Sequence, residues 1–209
     1  MSETTLRTVR LALASLLAVA LASQLLIGLS RDEGLTVVRF FSYFTVLSNA
    51  LAVVALVMLA GRPGRDHQPG FASYRGAVTV YMAVTGLVYA VVLAPNLADV
   101  AVPEPWIDWA IHVVGPVAMA ADWFLHPPTA SLSRVTLLLW LAFPTAYLAY
   151  SLTRGPLVDW YPYPFLDPSE TGGYRGVAMW AGVVLVVILG FGLLVRWWPS
   201  RKRAETGTG

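Results

Sequence analysis

Six stretches of this chain are apolar over close to the length that crosses a bilayer, roughly 20 residues each. They are Val9–Leu29, Phe40–Ala60, Gly76–Ala94, Ile107–Leu125, Arg134–Leu152 and Tyr174–Trp197. With their short connections they use up most of the 209 residues, so no soluble domain fits between them. In hydrocarbon every backbone N–H and C=O needs a partner within the protein, and runs this long meet that demand as helices. The expected fold is all-α: a single six-helix transmembrane domain over 1–200, then a basic tail over 201–209, read as disordered. Only 12% of residues are charged, about half the ~25% usual in soluble domains. Arg7 and Arg10 before an apolar run could suggest a signal peptide, but the run continues to Leu29, beyond a signal core of roughly 7–15 residues. It is read as a retained helix.

Orientation follows from where the cations sit. Arg7, Arg10, Arg62, Arg65, Arg75, Arg134, Arg196, Arg201, Lys202 and Arg203 fall on one side, and Arg31, Arg39, Arg154 and Arg175 on the other. The first side is therefore expected to be cytoplasmic and to carry both termini, in a cell (plasma) membrane. The connection from Pro95 to Trp106 holds Asp99 and Glu104 with no basic residue, as suits an outer loop. Lys202 is the sole lysine among many arginines, a usage that hints at a GC-rich bacterial genome. The Arg201–Arg203 cluster reads as a topology anchor beside anionic headgroups. Nucleic acid is not an expected partner; the bilayer is. Cysteine is absent, which excludes disulfides and thiolate chemistry.

The fourth run breaks the apolar pattern. Asp108, His112, Gly115, Met119 and Asp122 succeed one another at steps of 4, 3, 4 and 3, which puts them on one helical face. Ionisable groups in such helices are costly and face a protein interior or wet cavity, so they point to function. His112 lies roughly 8 Å in from the outer end of its helix, at 1.5 Å per residue. The second run, entering from the same side, puts Ser42, Thr45 and Asn49 on one face at a similar depth. The first brings Ser23 and Gln24 to that level. The loop from Trp160 to Asp167, stiffened by Pro162 and Pro164, adds interfacial aromatics, Tyr163 among them.

A hydroxyl beside an imidazole is the material of a nucleophile and its base, and Asp108, one turn before His112, is placed to orient the ring. The same residues also fit a structural polar cluster, with hydroxyls bonding their own helices, or a proton or ion path ending at Asp122. Haem is a poor fit, because His112 and His126 stand roughly 21 Å apart along one helix and His67 is in a loop. A metal site built from His112, Asp108 and Asp122 is a weak fit by similar arithmetic, since Asp122 is roughly 15 Å beyond His112. No cofactor is called for. Asp122 is expected to bond Arg134 or Arg62, and Pro116 and Pro144 to kink their helices.

Three segments resemble the androgen-induced membrane hydrolase family, multi-pass proteins that hydrolyse fatty-acid esters of hydroxy fatty acids. They are Arg39-Phe40-Phe41-Ser42-Tyr43, Trp106-Ile107-Asp108-Trp109-Ala110-Ile111-His112 and Tyr163-Pro164-Phe165-Leu166-Asp167. Order and rough spacing agree, as in a bacterial branch of that family. The resemblance implies a threonine nucleophile on the second helix and a histidine on the fourth. His112 matches the histidine. Ser42 stands where the threonine would be, with Thr45 one turn deeper as the alternative nucleophile. The expected activity is hydrolysis of lipid-like esters, with Ser42 attacking, His112 moving the proton and Asp108 orienting it. Helix backbone donors being satisfied internally, Asn49, Gln24, Tyr43 and Tyr163 are the candidates to meet substrate or oxyanion. The rival expectation is a protein without chemistry: a small carrier, a proton-linked channel, or an assembly partner packed through Gly182, Gly190 and Gly192.

Overall fold

The computed structural model describes residues 1–31, 35–62, 64–95 and 104–206. Among these there are helices and turns and no strand. In chain order come α1 (Glu3–Ser30), a single turn α2 (Val37–Phe40), α3 (Phe44–Gly61), α4 (Pro69–Val88), α5 (Pro105–Trp109), α6 (Gly115–Leu125), α7 (Val135–Val158) and α8 (Tyr174–Thr206). Five helices are long and apolar enough to cross a membrane: Glu3–Ser30, Phe44–Gly61, Pro69–Leu93, Val135–Val158 and Tyr174–Lys202. The expected fourth span exists as an unbroken helical run from Pro105 to Leu125, but it is divided between α5, a π turn at Ala110–Val114 and α6.

α4 is the hub. It packs on α3, α6 and α8, while α1 lies along α3 and α7 rests chiefly on α8. Composition explains the central place: α4 buries Ala72, Gly76, Ala77, Val78, Val80 and Met82, small or smooth side chains that let neighbours approach from several directions. A Cβ on Gly76 would lie 2.5 Å from Trp140 of α7, and one on Gly86 would lie 2.9 Å from Pro116 of α6. The outward faces carry Val183, Val186 and Leu193 of α8 and Leu138 and Leu139 of α7, all exposed. Such surface fits lipid rather than water.

Several boundaries depart from expectation. The second run is not continuous. The Thr36 hydroxyl caps α2, the chain turns at Phe41–Tyr43, and α3 begins at Phe44. Ser42 therefore sits in the break rather than on the face of α3 that carries Thr45 and Asn49. α4 begins at Pro69, so Arg75 lies inside a helix and not in a loop. α8 continues through Thr206, so the tail from Arg201, expected to be disordered, is helical up to that point. There Glu205 meets Arg201 at 3.1 Å and Lys202 at 3.2 Å. Most of the acidic connection expected to face outward, including Asp99, lies outside the described residues.

The π turn before Pro116 has a local cause. Proline has no N–H, so the His112 carbonyl loses its α-helical donor. Gly115 N–H reaches back to Ala110 instead, which frees the Ile111 carbonyl as well. That carbonyl accepts from Asn49 Nδ2 at 3.1 Å. The kink expected at Pro116 thus takes the form of a π turn whose loose carbonyl is satisfied from α3. Pro144 and Pro156 lie within α7, which continues through both.

Candidate functional site

A cavity of about 870 Å³ opens among α1, the α2–α3 break, the end of α4, α5 and the Trp160–Phe165 loop. His112, Asp108, Thr45, Tyr43, Gln24 and Tyr163 all line it. Asp108 and His112 are mostly screened from solvent, and Asp108 Oδ1 lies 2.8 Å from His112 Nδ1. An Nδ1–H donated to the carboxylate leaves Nε2 of the neutral ring as the acceptor. The second carboxylate oxygen accepts from the Tyr89 hydroxyl, and the Tyr89 ring stacks on the imidazole with centroids 4.2 Å apart and planes 7° from parallel.

The break before α3 sets the other wall. Tyr43 takes the N-cap position of α3 but offers no capping side-chain bond, so a first-turn amide lacks its usual partner. The hydroxyl of Tyr163 fills that role from a distant loop, accepting the Thr45 N–H at 3.1 Å and lying 3.2 Å from Thr45 Oγ1. Because the phenol oxygen already accepts the amide proton, its own O–H is directed elsewhere, to Thr45 Oγ1 or to a ligand. Burial pushes the Tyr163 phenol up to about 12, so it holds that proton at every ordinary pH. Burial also raises Tyr43, against a smaller opposing pull from Arg39. Phe165 stacks on Tyr163 at 5.1 Å, and Tyr43 meets its edge at 5.8 Å.

Ser42 lies elsewhere. It is 1% exposed and is absent from the cavity wall. Its hydroxyl donates to the Val38 carbonyl at 2.7 Å and sits 2.7 Å from the Tyr150 hydroxyl, while Tyr147 donates to its carbonyl at 3.0 Å. These contacts stitch the break to α7. Asn49 is fully buried in helix packing, its amide given to the Thr45 and Ile111 carbonyls at 2.9 and 3.1 Å. Gln24 is at the cavity wall with a buried Oε1 that has no hydrogen-bond partner among the described residues. So Thr45, His112, Asp108, Gln24, Tyr43 and Tyr163 share one cavity wall, and Ser42 and Asn49 lie outside it.

A second cavity of about 280 Å³, between α4, α7 and α8, is walled almost wholly by apolar side chains such as Val84, Leu141, Leu148 and Ile188. It shares Thr45, Leu93, Tyr163 and Phe165 with the first. The Thr45–Tyr163 pair therefore stands where the chamber that holds Asp108 and His112 meets an almost wholly apolar one.

Asp122 lies beyond this region and its partners correct the expectation. They are Arg10 of α1, at 2.9 Å, and Arg75 of α4, at 2.7 Å, rather than Arg134 or Arg62. Arg75 is wholly buried and also donates to the Asp122 and His126 carbonyls at 2.7 and 3.0 Å. Between His112 and Asp122 the polar stripe is closed: a Cβ on Gly115 would lie within 3.1 Å of Met82, Leu17 and Asn49, and Met119 is 1% exposed.

One residue beside the site is not singled out by the sequence pattern. Tyr89, at the end of an apolar run, looks like an ordinary interfacial aromatic. Thr45, expected as the alternative nucleophile, lines the cavity, while Ser42 lies outside its wall. No curated protein and no solved structure matches the chain. The sequence profile of the FAR-17a/AIG1-like proteins matches residues 79–196, which includes His112, Asp108, Tyr89 and Tyr163. The chain is an all-helical, multi-pass membrane protein and belongs to the FAR-17a/AIG1-like family.

Proposed function

We propose that this protein hydrolyses lipid-like esters in the plasma membrane, with Thr45 as nucleophile and His112 as its base. The observation that carries the reading is the shared cavity: an oriented imidazole and a hydroxyl on the first turn of a helix line one chamber, and that hydroxyl also borders an apolar one. Thr45 Oγ1 attacks the ester carbonyl carbon as its proton passes to His112 Nε2. Negative charge developing on the carbonyl oxygen is met by the Tyr163 O–H, with Tyr43 and Gln24 in the same wall. Collapse breaks the bond to the alcohol, which leaves with the proton from His112. Water then attacks the acyl-threonine, His112 takes its proton and returns it to Thr45 Oγ1, and the fatty acid departs. The acyl tail would lie in the apolar chamber and enter sideways from the bilayer.

In this reading the run from Pro105 to Leu125 is a sixth span, both termini are cytoplasmic, and the cavity lies near the outer surface. The carrier and channel alternatives need a polar route through the bundle. The Leu17–Met82–Met119 packing around Gly115 and the pairing of Asp122 with two guanidinium groups weigh against one.

The test is labelling of the purified protein by a long-chain fluorophosphonate, alongside cleavage of long-chain p-nitrophenyl esters. Thr45→Ala and His112→Ala are expected to abolish both, and Ser42→Ala to retain labelling. Loss in Ser42→Ala with retention in Thr45→Ala would move the nucleophile to Ser42. Equal labelling in all three variants would end the hydrolase reading.

A further inference from the structure

His112 and Tyr89 each sit in a π turn, Ala110–Val114 and Tyr89–Leu93. Such turns are rare, and single ones recur at functional sites because they re-aim a side chain. Here two of them bring one pair of rings face to face, 4.2 Å apart and 7° from parallel. Gly86, one turn before Tyr89, makes the approach possible: its missing Cβ would lie 3.3 Å from the His112 carbonyl.

The contacts close a circuit. Asp108 Oδ1 faces His112 Nδ1 at 2.8 Å, Asp108 Oδ2 accepts from the Tyr89 hydroxyl, and the Tyr89 ring returns to cover the imidazole. An i,i+4 carboxylate alone leaves two rotors free, since the carboxylate and the imidazole each turn about their last side-chain bond. The phenol hydroxyl fixes the carboxylate plane and the stack fixes the imidazole plane. We infer that Tyr89 is the positioning residue of this site, locking Asp108 and His112 so that the Nδ1–H tautomer is held and Nε2 faces the cavity.

The consequence for turnover rests on the hydrolase reading; the consequence for the imidazole does not. The chain has three histidines, so histidine-labelled protein in lipid nanodiscs gives a readable nitrogen spectrum, with His112→Gln assigning the signal. His67 and His126, on the Arg10–Asp122 side of the protein, report an intact fold. Wild-type His112 should show one protonated and one bare nitrogen. Tyr89→Phe keeps the stack and should keep most of that form. Tyr89→Leu removes both restraints, and its two nitrogen signals should converge as the tautomers mix. In the esterase assay kcat should fall about tenfold in Tyr89→Phe and about a hundredfold in Tyr89→Leu, with KM steady within about twofold, the size seen when an orienting partner is lost.

A His112 spectrum unchanged in Tyr89→Leu overturns the inference, as does a loss confined to KM, which would make Tyr89 a substrate contact. If Tyr89→Leu disturbs all three histidines, Tyr89→Phe decides, and an unchanged kcat there overturns the inference. If the His112 signals converge as expected while wild-type protein cleaves no ester, Tyr89 still positions the ring and the hydrolase reading alone fails.

Discussion

Thr45 and Ser42 are three residues apart and chemically alike, yet their surroundings set them different tasks. The Ser42 hydroxyl is spent on Val38 and Tyr150. The Thr45 hydroxyl meets only Tyr163, and both border the cavity. Tyr163 is the residue to test at this scale. Tyr163→Phe retains the stack on Phe165 but removes the O–H that caps Thr45. If that O–H meets the oxyanion, kcat should drop about 10²–10³-fold, the range for one lost donor of this type. The fold should persist, because α3 loses one cap, about 1 kcal/mol. The same phenol has a pH signature. Its folded-state value near 12 lies above the ordinary tyrosine value of 10.0, so the folded state holds the proton more tightly. Its contribution to stability is complete below pH 10 and lost as pH rises toward 12. Thermal unfolding followed against pH should show that alkaline fall in wild type and a smaller one in Tyr163→Phe.

At the level of elements, the site is made by interruptions: a broken helix before Phe44, two π turns and a capping loop. Two of them expose a backbone group that a distant side chain satisfies: Asn49 does so for Ile111 and Tyr163 for Thr45. Gly86 tests the geometry. An added side chain would collide with Pro116 and the His112 carbonyl, so Gly86→Val should push α4 off the π turn. Overpacking of this kind costs about 1–3 kcal/mol, so the Tm should fall, and under the proposed hydrolase reading ester cleavage should be lost with it. The lengths of the apolar runs foretold the long helices, and the 4-3-4-3 spacing foretold that Asp108 and His112 look inward. Of the interruptions, only a kink at Pro116 was foretold. Pro116 signals a defect but not its form, which depends on Asn49 arriving from another helix. Arg75 fell outside the third span because the apolar run begins only at Gly76, whereas α4 already begins at Pro69. Non-local partners of this sort leave no trace in a window of neighbouring residues.

Across the whole molecule the two polar clusters are unlike. One surrounds the large cavity beside His112; the other is a knot of ion pairs in which Asp122 meets Arg10 and Arg75, and Arg75 reaches Asp66 at 3.5 Å. Two cations and two anions cancel there, and α1, α4, α6 and the Arg65–His67 turn are tied at a single point. A buried ion pair is a poor source of net stability, but removing one partner is severe because the others stay buried and unmatched. Asp122→Asn leaves two guanidinium groups facing each other and should cost about 3–5 kcal/mol, read as a lowered Tm in nanodiscs. Arg10→Met combined with Asp122→Asn removes one of the stranded charges, so the double variant should lose less than the two single losses added together. The same variants separate a fastener from a conductor. A fastener has no proton to pass on, so liposomes holding wild-type protein should carry no proton flux and Asp122→Asn should change nothing in that assay. Proton flux through wild-type protein that Asp122→Asn abolishes would mean that the Leu17–Met82–Met119 packing opens, and would make the Asp122 carboxylate the working group in place of the His112 imidazole.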